Sequence, residues 1–261
     1  MRGALALTLM AGLMCAPFPA SAADRPEKEV VQFDVSTREI SIQSNFTGIE
    51  IVVFGSIDSA QPREPGQAPY DVIIVISGPK QALTTWRKER VAGIWVNGAS
   101  ESFVSVPSFY AVLSTRQIET MAAPTTLKTL GIGIENLRLG GGGVAEVANE
   151  DEFRAALVRL KKERSLFQQD EGTVSFIGRS LFRGSVDLPA TVPLGRYLAQ
   201  VYLFRDGQLL SKNESSLQVH KAGFERFVYL LAFRYPFIYG FMAVVMAVLM
   251  GALAWAAFRR E

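Results

Sequence analysis

Residues 71–77 read DVIIVIS, five β-branched apolar residues in a row with a polar residue at each end. Successive side chains of a strand point to opposite faces, so a run without polar alternation has to be covered on both faces. A Pro- and Gly-rich stretch at 59–69 precedes it and marks a loop leading into a strand. Two packed sheets would supply the double cover, which predicts a mainly β fold.

The segments on either side extend the pattern. Residues 30–35, 40–43 and 49–55 are short, β-branched and separated by Ser, Asn, Gly and Asp, which suits strands. The third is apolar on most of both faces and is expected to be central. Residues 83–96 read LTTWRKERVAGIWV, and Asn97-Gly98 carries a hairpin signal before further strands at 102–106 and 109–113. In the charged part, Trp86, Lys88 and Arg90 share one face while Arg87 and Glu89 share the other, as on an exposed edge guarded against aberrant pairing.

From residue 114 the character changes. Ser114-Thr115-Arg116-Gln117 fits a capping box at a helix start, and Pro124 breaks the segment. Asn149 precedes Glu150-Asp151-Glu152, then Phe153, Leu157 and Leu160 recur at helical spacing before Arg159, Lys161, Lys162 and Arg164. Acid at the front and base at the rear complement the helix dipole, which predicts a helix over 151–167. Strand patterns resume at 173–177, 185–188 and 196–205. Asp206-Gly207 is a hairpin signal leading into 208–210, and a last strand is expected at 216–220.

Residues 237–258 read FIYGFMAVVMAVLMGALAWAAF, contain no ionisable side chain except Tyr239, and are followed by Arg259-Arg260. At about 1.5 Å of rise per residue this helix is roughly 33 Å long, enough to cross a hydrocarbon core of about 30 Å. At the other end, Arg2, an apolar core from Ala4 to Ala16, Pro17 and Ala20-Ser21-Ala22 form a secretory leader, with cleavage expected after Ala22. A lipoprotein reading through Cys15 is weaker, because Met14 precedes the cysteine where a small residue is expected. Export followed by stop-transfer leaves the bulk of the chain periplasmic and Arg259-Arg260 cytoplasmic, in a single-pass inner-membrane topology. Cys15 leaves with the leader, so the mature chain can form no disulfide.

The fold class that follows is mainly β: one or two immunoglobulin-like β-sandwich lobes with a helical insert, plus one C-terminal transmembrane helix. The divisions are a leader at 1–22, a first lobe at 23–113, a helical insert at 114–171, a second lobe at 172–222, a juxtamembrane aromatic segment at 223–236, the span at 237–258 and a tail at 259–261. A single sandwich carrying the insert is the main rival. In the juxtamembrane segment Phe224, Phe227, Val228 and Leu231 fall at helical spacing, suiting either an interfacial helix or a last helix packed on the β part.

Chemistry-bearing constellations are sparse. His220 is the only histidine, and it stands beside Lys221 with no nucleophile-elbow motif around any serine. No catalytic residue, metal or cofactor is expected. Asp34, Glu39, Glu50, Asp58 and Asp71 could include a catalytic carboxylate pair, although their spacing selects none. Gly140 to Gly143 lacks the Lys-Ser/Thr of a phosphate loop and suits a connector. Asn45-Phe46-Thr47 and Asn213-Glu214-Ser215 match the glycosylation triplet at the frequency expected by chance. The formal charge of +2, or +1 once Arg2 is removed, together with the envelope location, excludes nucleic acid as a partner.

RKERVAGIWVN at 87–97, PSFYAVLSTR at 107–116 and LFRGSVDLPATVPLGRY at 181–197 are the recognisable stretches. Over nearly the whole chain the sequence resembles the uncharacterised family of putative transmembrane proteins from alphaproteobacteria. The resemblance implies inner-membrane anchorage, a periplasmic domain and relatives encoded near permeases of the sulfite-exporter type, and it brings no established activity or site.

The functional expectation is a non-enzymatic binding or accessory module for a membrane partner such as a transporter. Trp86, Arg87, Lys88, Arg90 and Trp95 are its candidate partner contacts, since Trp and Arg commonly anchor interfaces. Ala243, Ala247 and Gly251 form a strip of small residues on one face of the span, where a copy of the helix or a multispan partner could pack closely. The partners expected are thus the lipid bilayer and a multispan protein, a sulfite-exporter-type permease being one candidate, or a second copy. The alternatives are an envelope hydrolase using two carboxylates and a small-ligand-binding sandwich.

Overall fold

The computed structural model describes residues 29–43, 46–58, 70–140, 150–221 and 224–258. The leader, Asn45, Gly141 to Gly143 and the Arg259-Arg260 tail lie outside these residues.

The first half of the chain supplies β1 (Val30–Val35), β2 (Glu39–Ile42), β3 (Gly48–Asp58), β4 (Asp71–Ser77), β5 (Lys80–Val91), β6 (Ile94–Pro107) and β7 (Tyr110–Ser114). Helices α1 (Ile118–Met121), α2 (Pro124–Leu130) and α3 (Glu150–Glu163) follow. Then come β8 (Phe167–Asp170), β9 (Ser175–Ile177), β10 (Leu181–Pro189), β11 (Gly195–Arg205) and β12 (Gln208–Lys221), and finally α4 (Phe224–Arg234) and α5 (Pro236–Phe258). One sheet has the order β1-β3-β10-β9, a second has the order β2-β12-β11-β4-β7-β8, and β5 and β6 pair separately as a ribbon. The larger sheet is antiparallel through its middle and parallel at both edges, where β12 meets β2 and β7 meets β8.

Strands from 23–113 and from 172–222 share both sheets: β3 pairs with β10, β4 with β11 and β2 with β12. The β part is therefore one sandwich, and neither segment closes a sheet pair by itself. The reason lies in β4, where every residue from Asp71 to Ile76 is buried. Val72, Ile74 and Ile76 enter a core with Val31, Ile51, Val53 and Phe182 of the smaller sheet and Val201 and Leu203 of β11. Ile73 and Val75 enter a second core with Tyr202, Phe204, Phe103, Met121, Phe153 and Leu157. The helices and the base of the ribbon thus form a third layer that covers the other face of the larger sheet.

Local differences from the sequence reading have physical causes. Ser114 ends β7 and its hydroxyl donates to the Arg116 carbonyl at 2.6 Å, so it caps no helix, and α1 begins without a side-chain cap. Pro124 interrupts the segment as expected and also opens α2, where its missing N–H has no helical partner to lose. Helix α3 ends at Glu163, because Ser165 takes a left-handed φ of 53° and Phe167 already pairs in β8. Leu160 is 44% exposed, whereas Lys161 lies in the interior. The two short strands at 208–210 and 216–220 are parts of one continuous strand, β12.

Helix α5 follows α4 across Pro236, with Tyr235 N–H donating to the Leu231 carbonyl and Tyr239 N–H to the Tyr235 carbonyl. Within it, Pro236–Ala256 is long and apolar enough to cross a membrane, and its side chains are exposed rather than packed against the sandwich. Its apolar side chains therefore gain nothing from the sandwich, which suits a helix whose solvent is lipid.

Truncation separates the two neighbouring environments. Ile74→Ala should lower unfolding stability by about 2–5 kcal/mol, the usual cost of a buried cavity, and Leu160→Ala by roughly half a kcal/mol or less, as for a surface site. Urea unfolding monitored by circular dichroism measures both, and a larger loss at Leu160 would contradict this layering.

Candidate functional site

The outer half of the ribbon is a long exposed element of the β part. The ribbon pairs from Lys80 opposite Pro107 to Val91 opposite Ile94, and the chain reverses at Ala92 and Gly93, with φ of 49° and 87°. Two consecutive left-handed residues suit the mirror-image turn whose twist matches a hairpin. Its base enters the second core through Phe103 and Val106, and residues 86–100 include no buried residue, so the outer half is exposed and touches α3 at its near end, through Arg87.

Asn97-Gly98 is consequently not the turn. The register shift opposite Trp86 and Lys88 leaves an extra residue on β6 beside Gly98, a bulge. A Cβ added to Gly98 would lie 2.2 Å from the Glu89 carboxylate carbon, so a larger residue there would make the exposed Glu89 side chain swing aside. A second shift, near Gln81 and Leu83, lies where Leu139 and Gly140 accept hydrogen bonds from the N–H groups of Ser105 and Val104. Gly140, the one described residue of the glycine run, is thus tied to the ribbon edge.

Trp86, Lys88 and Arg90 alternate onto one face of the ribbon, and Trp95 and Asn97 join that face opposite Arg90 and Lys88. Lys88 Nζ donates to Asn97 Oδ1 at 2.6 Å. Arg87 lies on the other face, pairs with Glu152 of α3 and stands 5.5 Å above the Phe153 ring. Four of the five expected contacts therefore share one open face, while the fifth braces the ribbon against the helix. Sequence reasoning missed Ile94, which is 66% exposed beside an equally exposed Trp95, and its tip partner Val91. The signal available for them was the Ala-Gly pair between two β-branched residues.

The acids disperse. Asp71 is buried and accepts two hydrogen bonds from Arg116, from Nε at 2.7 Å and from Nη2 at 2.6 Å, and this pairing raises the guanidinium pKa. Asp34 accepts the Val35 N–H and then the Arg38 side chain, and these hold its carboxyl below the usual range. Asp58 receives the Gln32 amide at 3.4 Å, and Glu39 starts edge strand β2. Glu50 stands directly across from Asp187, both exposed on the outer face of the smaller sheet. His220 Nε2 meets Ser41 Oγ at 3.2 Å near the end of β12. The Asn213 amide donates to the Val31 carbonyl at 3.0 Å, holding β12 to β1. Among the described residues no three of His, Cys, Asp and Glu gather as metal ligands.

Lys161 is the charged side chain that sequence reasoning left on the surface. It follows Phe153 and Leu157 at steps of four along the buried face of α3. Its Nζ donates to the Ser108 carbonyl at 3.2 Å and lies 5.8 Å from the centre of the Phe167 ring, and no carboxylate pairs with it among the described residues. Burial first, and then the charge of Arg164, hold its pKa below the ordinary lysine value.

A two-sheet sandwich with a braced, projecting ribbon, followed in the chain by a lipid-compatible helix, defines a β-rich membrane protein with a C-terminal span. The chain belongs to the family described as "Putative transmembrane protein", whose sequence model matches residues 30–260. No curated protein matches the sequence.

The lowered pKa of Lys161 has a sign in stability. Between its folded pKa and the ordinary value of 10.5 the unfolded chain binds the proton more tightly, so this residue makes stability rise with pH across that window. Lys161→Met should flatten the rise, as measured by urea midpoints taken from neutral to alkaline pH. An unchanged slope in the variant would assign the rise to other groups.

Proposed function

We propose that the protein is a non-enzymatic, membrane-anchored binding module whose ribbon engages a membrane partner. In this reading the sandwich faces the periplasm, the chain ends in the cytoplasm, and a multispan protein of the inner membrane is the partner, a sulfite-exporter-type permease being one candidate. The single observation that carries it is the outer half of the ribbon, which presents Trp86, Val91, Ile94 and Trp95 to solvent while Arg87 fixes its base on α3. Exposed Trp beside Arg and Lys is the composition of interface anchors, and the brace limits the ordering cost of binding.

Cross-linking in membranes, recovery in mild detergent and mass spectrometry test this. The double variant Ile94→Asp with Trp95→Ser should lose a partner that the wild type recovers, with the circular dichroism spectrum unchanged. Equal recovery by the two proteins would sink the ribbon as the contact surface.

The span adds a second contact. A Cβ at Gly251 meets nothing within 4 Å, so a larger side chain there meets no obstacle within the protein itself. In this reading Ala243, Ala247 and Gly251 pack against another helix, and Gly251→Leu should abolish association while membrane insertion persists. Disulfide trapping between cysteines placed along the span measures it. Undiminished trapping would reject the strip.

The hydrolase alternative finds its nearest geometric support in Glu50 and Asp187. They oppose each other on an open sheet face, where no wall excludes water.

A further inference from the structure

A groove of about 400 Å³ runs between the base of β5 and the last turns of α3, and its far wall is the Thr191 to Pro193 loop. The volume is within the range of small-molecule sites, about 300–1,000 Å³. Its walls include Leu83, Trp86, Leu157, Leu160 and Pro193, and among the described residues the charged ones lining it are Lys161 and Arg164. The Tyr197 hydroxyl donates to the Pro193 carbonyl at 2.6 Å, which fixes the position of that wall.

Two features of this groove lack an explanation in folding. Leu160 and Trp86 remain 44% and 49% exposed on either side of it, Leu160 on a helix whose Phe153, Leu157 and Lys161 are buried and Trp86 next to buried Thr85. Lys161 is 93% buried by its residual exposure of 7%, yet its ammonium has one protein acceptor for three donors. Arg164, of the same sign, acts on its charge and lines the same groove, and among the described residues no acid does. Burying an ammonium beside a second cation is costly unless an anion joins them.

We propose that this groove binds a small organic carboxylate with an apolar body. The head group bridges Lys161 and Arg164, and the body lies against Leu157, Leu160 and Trp86. One carboxylate gives the ammonium a second acceptor and screens it from the guanidinium, and the apolar body covers the exposed leucine and indole. A strongly hydrated inorganic dianion would gain the first contact without the second, at a higher desolvation cost. The groove shares Trp86 with the open face of the ribbon, but its charged end, Lys161 and Arg164, lies off the ribbon, so carboxylate binding can be measured with the tip residues Ile94 and Trp95 replaced.

Isothermal titration of the full chain in phosphatidylcholine nanodiscs with 3-phenylpropionate tests the proposal. Sulfate and the uncharged 3-phenylpropanol serve as controls. Saturable binding of the carboxylate is expected, with both controls at least roughly tenfold weaker, since each lacks one half of the recognition. Arg164→Gln, an exposed residue whose change leaves the core untouched, should weaken phenylpropionate by roughly tenfold, as befits a charge-assisted hydrogen bond. Lys161→Met should weaken it at least as much. No heat of binding at millimolar carboxylate, equal affinity for the alcohol or for sulfate, or full affinity in Arg164→Gln would each overturn the proposal.

Discussion

Everything in the β part depends on covering β4 twice. A strand whose Val72, Ile74 and Ile76 point one way and whose Ile73 and Val75 point the other has no face to give to water. Its neighbours β7 and β11 inherit the constraint, with Ala111 and Leu113 in one core and Tyr110 and Val112 in the other. The smaller sheet meets one demand, and the ribbon base with the helices between β7 and β8 meets the other. The helical segment is therefore the third layer of the structure rather than an appendage to it.

The same constraint explains why the ribbon projects. Only its base, around Phe103 and Val106, is needed to close the second core. Pairing then continues outward through Arg90 opposite Trp95 to the turn at Ala92 and Gly93, and residues 90–95 are all exposed. An isolated two-stranded ribbon is marginal in water, so the Arg87 contact with Glu152 and Phe153 matters for holding its direction. Rigid placement of exposed Trp and Ile is what a contact surface requires. The groove at the ribbon's root arises similarly, where β5 leaves the body beside α3 and no described acid lines the space beside Lys161 and Arg164.

How legible the structure was differs residue by residue. The strand at 71–77, the Asp206-Gly207 turn and the helix rich in acid at its start were readable because each is decided by neighbours in the chain. Asn97-Gly98 misled, because the same dipeptide that permits a tight turn also permits a bulge, and here the chain reverses at Ala92 and Gly93 so that Asn97 pairs with Lys88 instead. Of the candidate contacts, Trp86, Lys88, Arg90 and Trp95 fall together by strand alternation, which is a sequence property. Arg87 leaves the set because of Glu152, sixty-five positions away. Lys161 carried a usable signal in its spacing from Phe153 and Leu157, but a basic residue near a helix end has a ready solvent explanation.

By itself the sequence determined the β-rich class, the need for a doubly covered strand and the membrane-length helix at its end. Each of these follows from hydropathy and period, which act along the chain. Only the tertiary structure decided that the strands before and after the helical segment interleave into one sandwich, that the outer half of the ribbon is exposed, and that Lys161 is buried beside Arg164. Those outcomes turn on pairings between residues far apart in sequence, such as Ile74 opposite Val201 and Val53 opposite Gly184, and no local pattern encodes which partner a strand edge will meet.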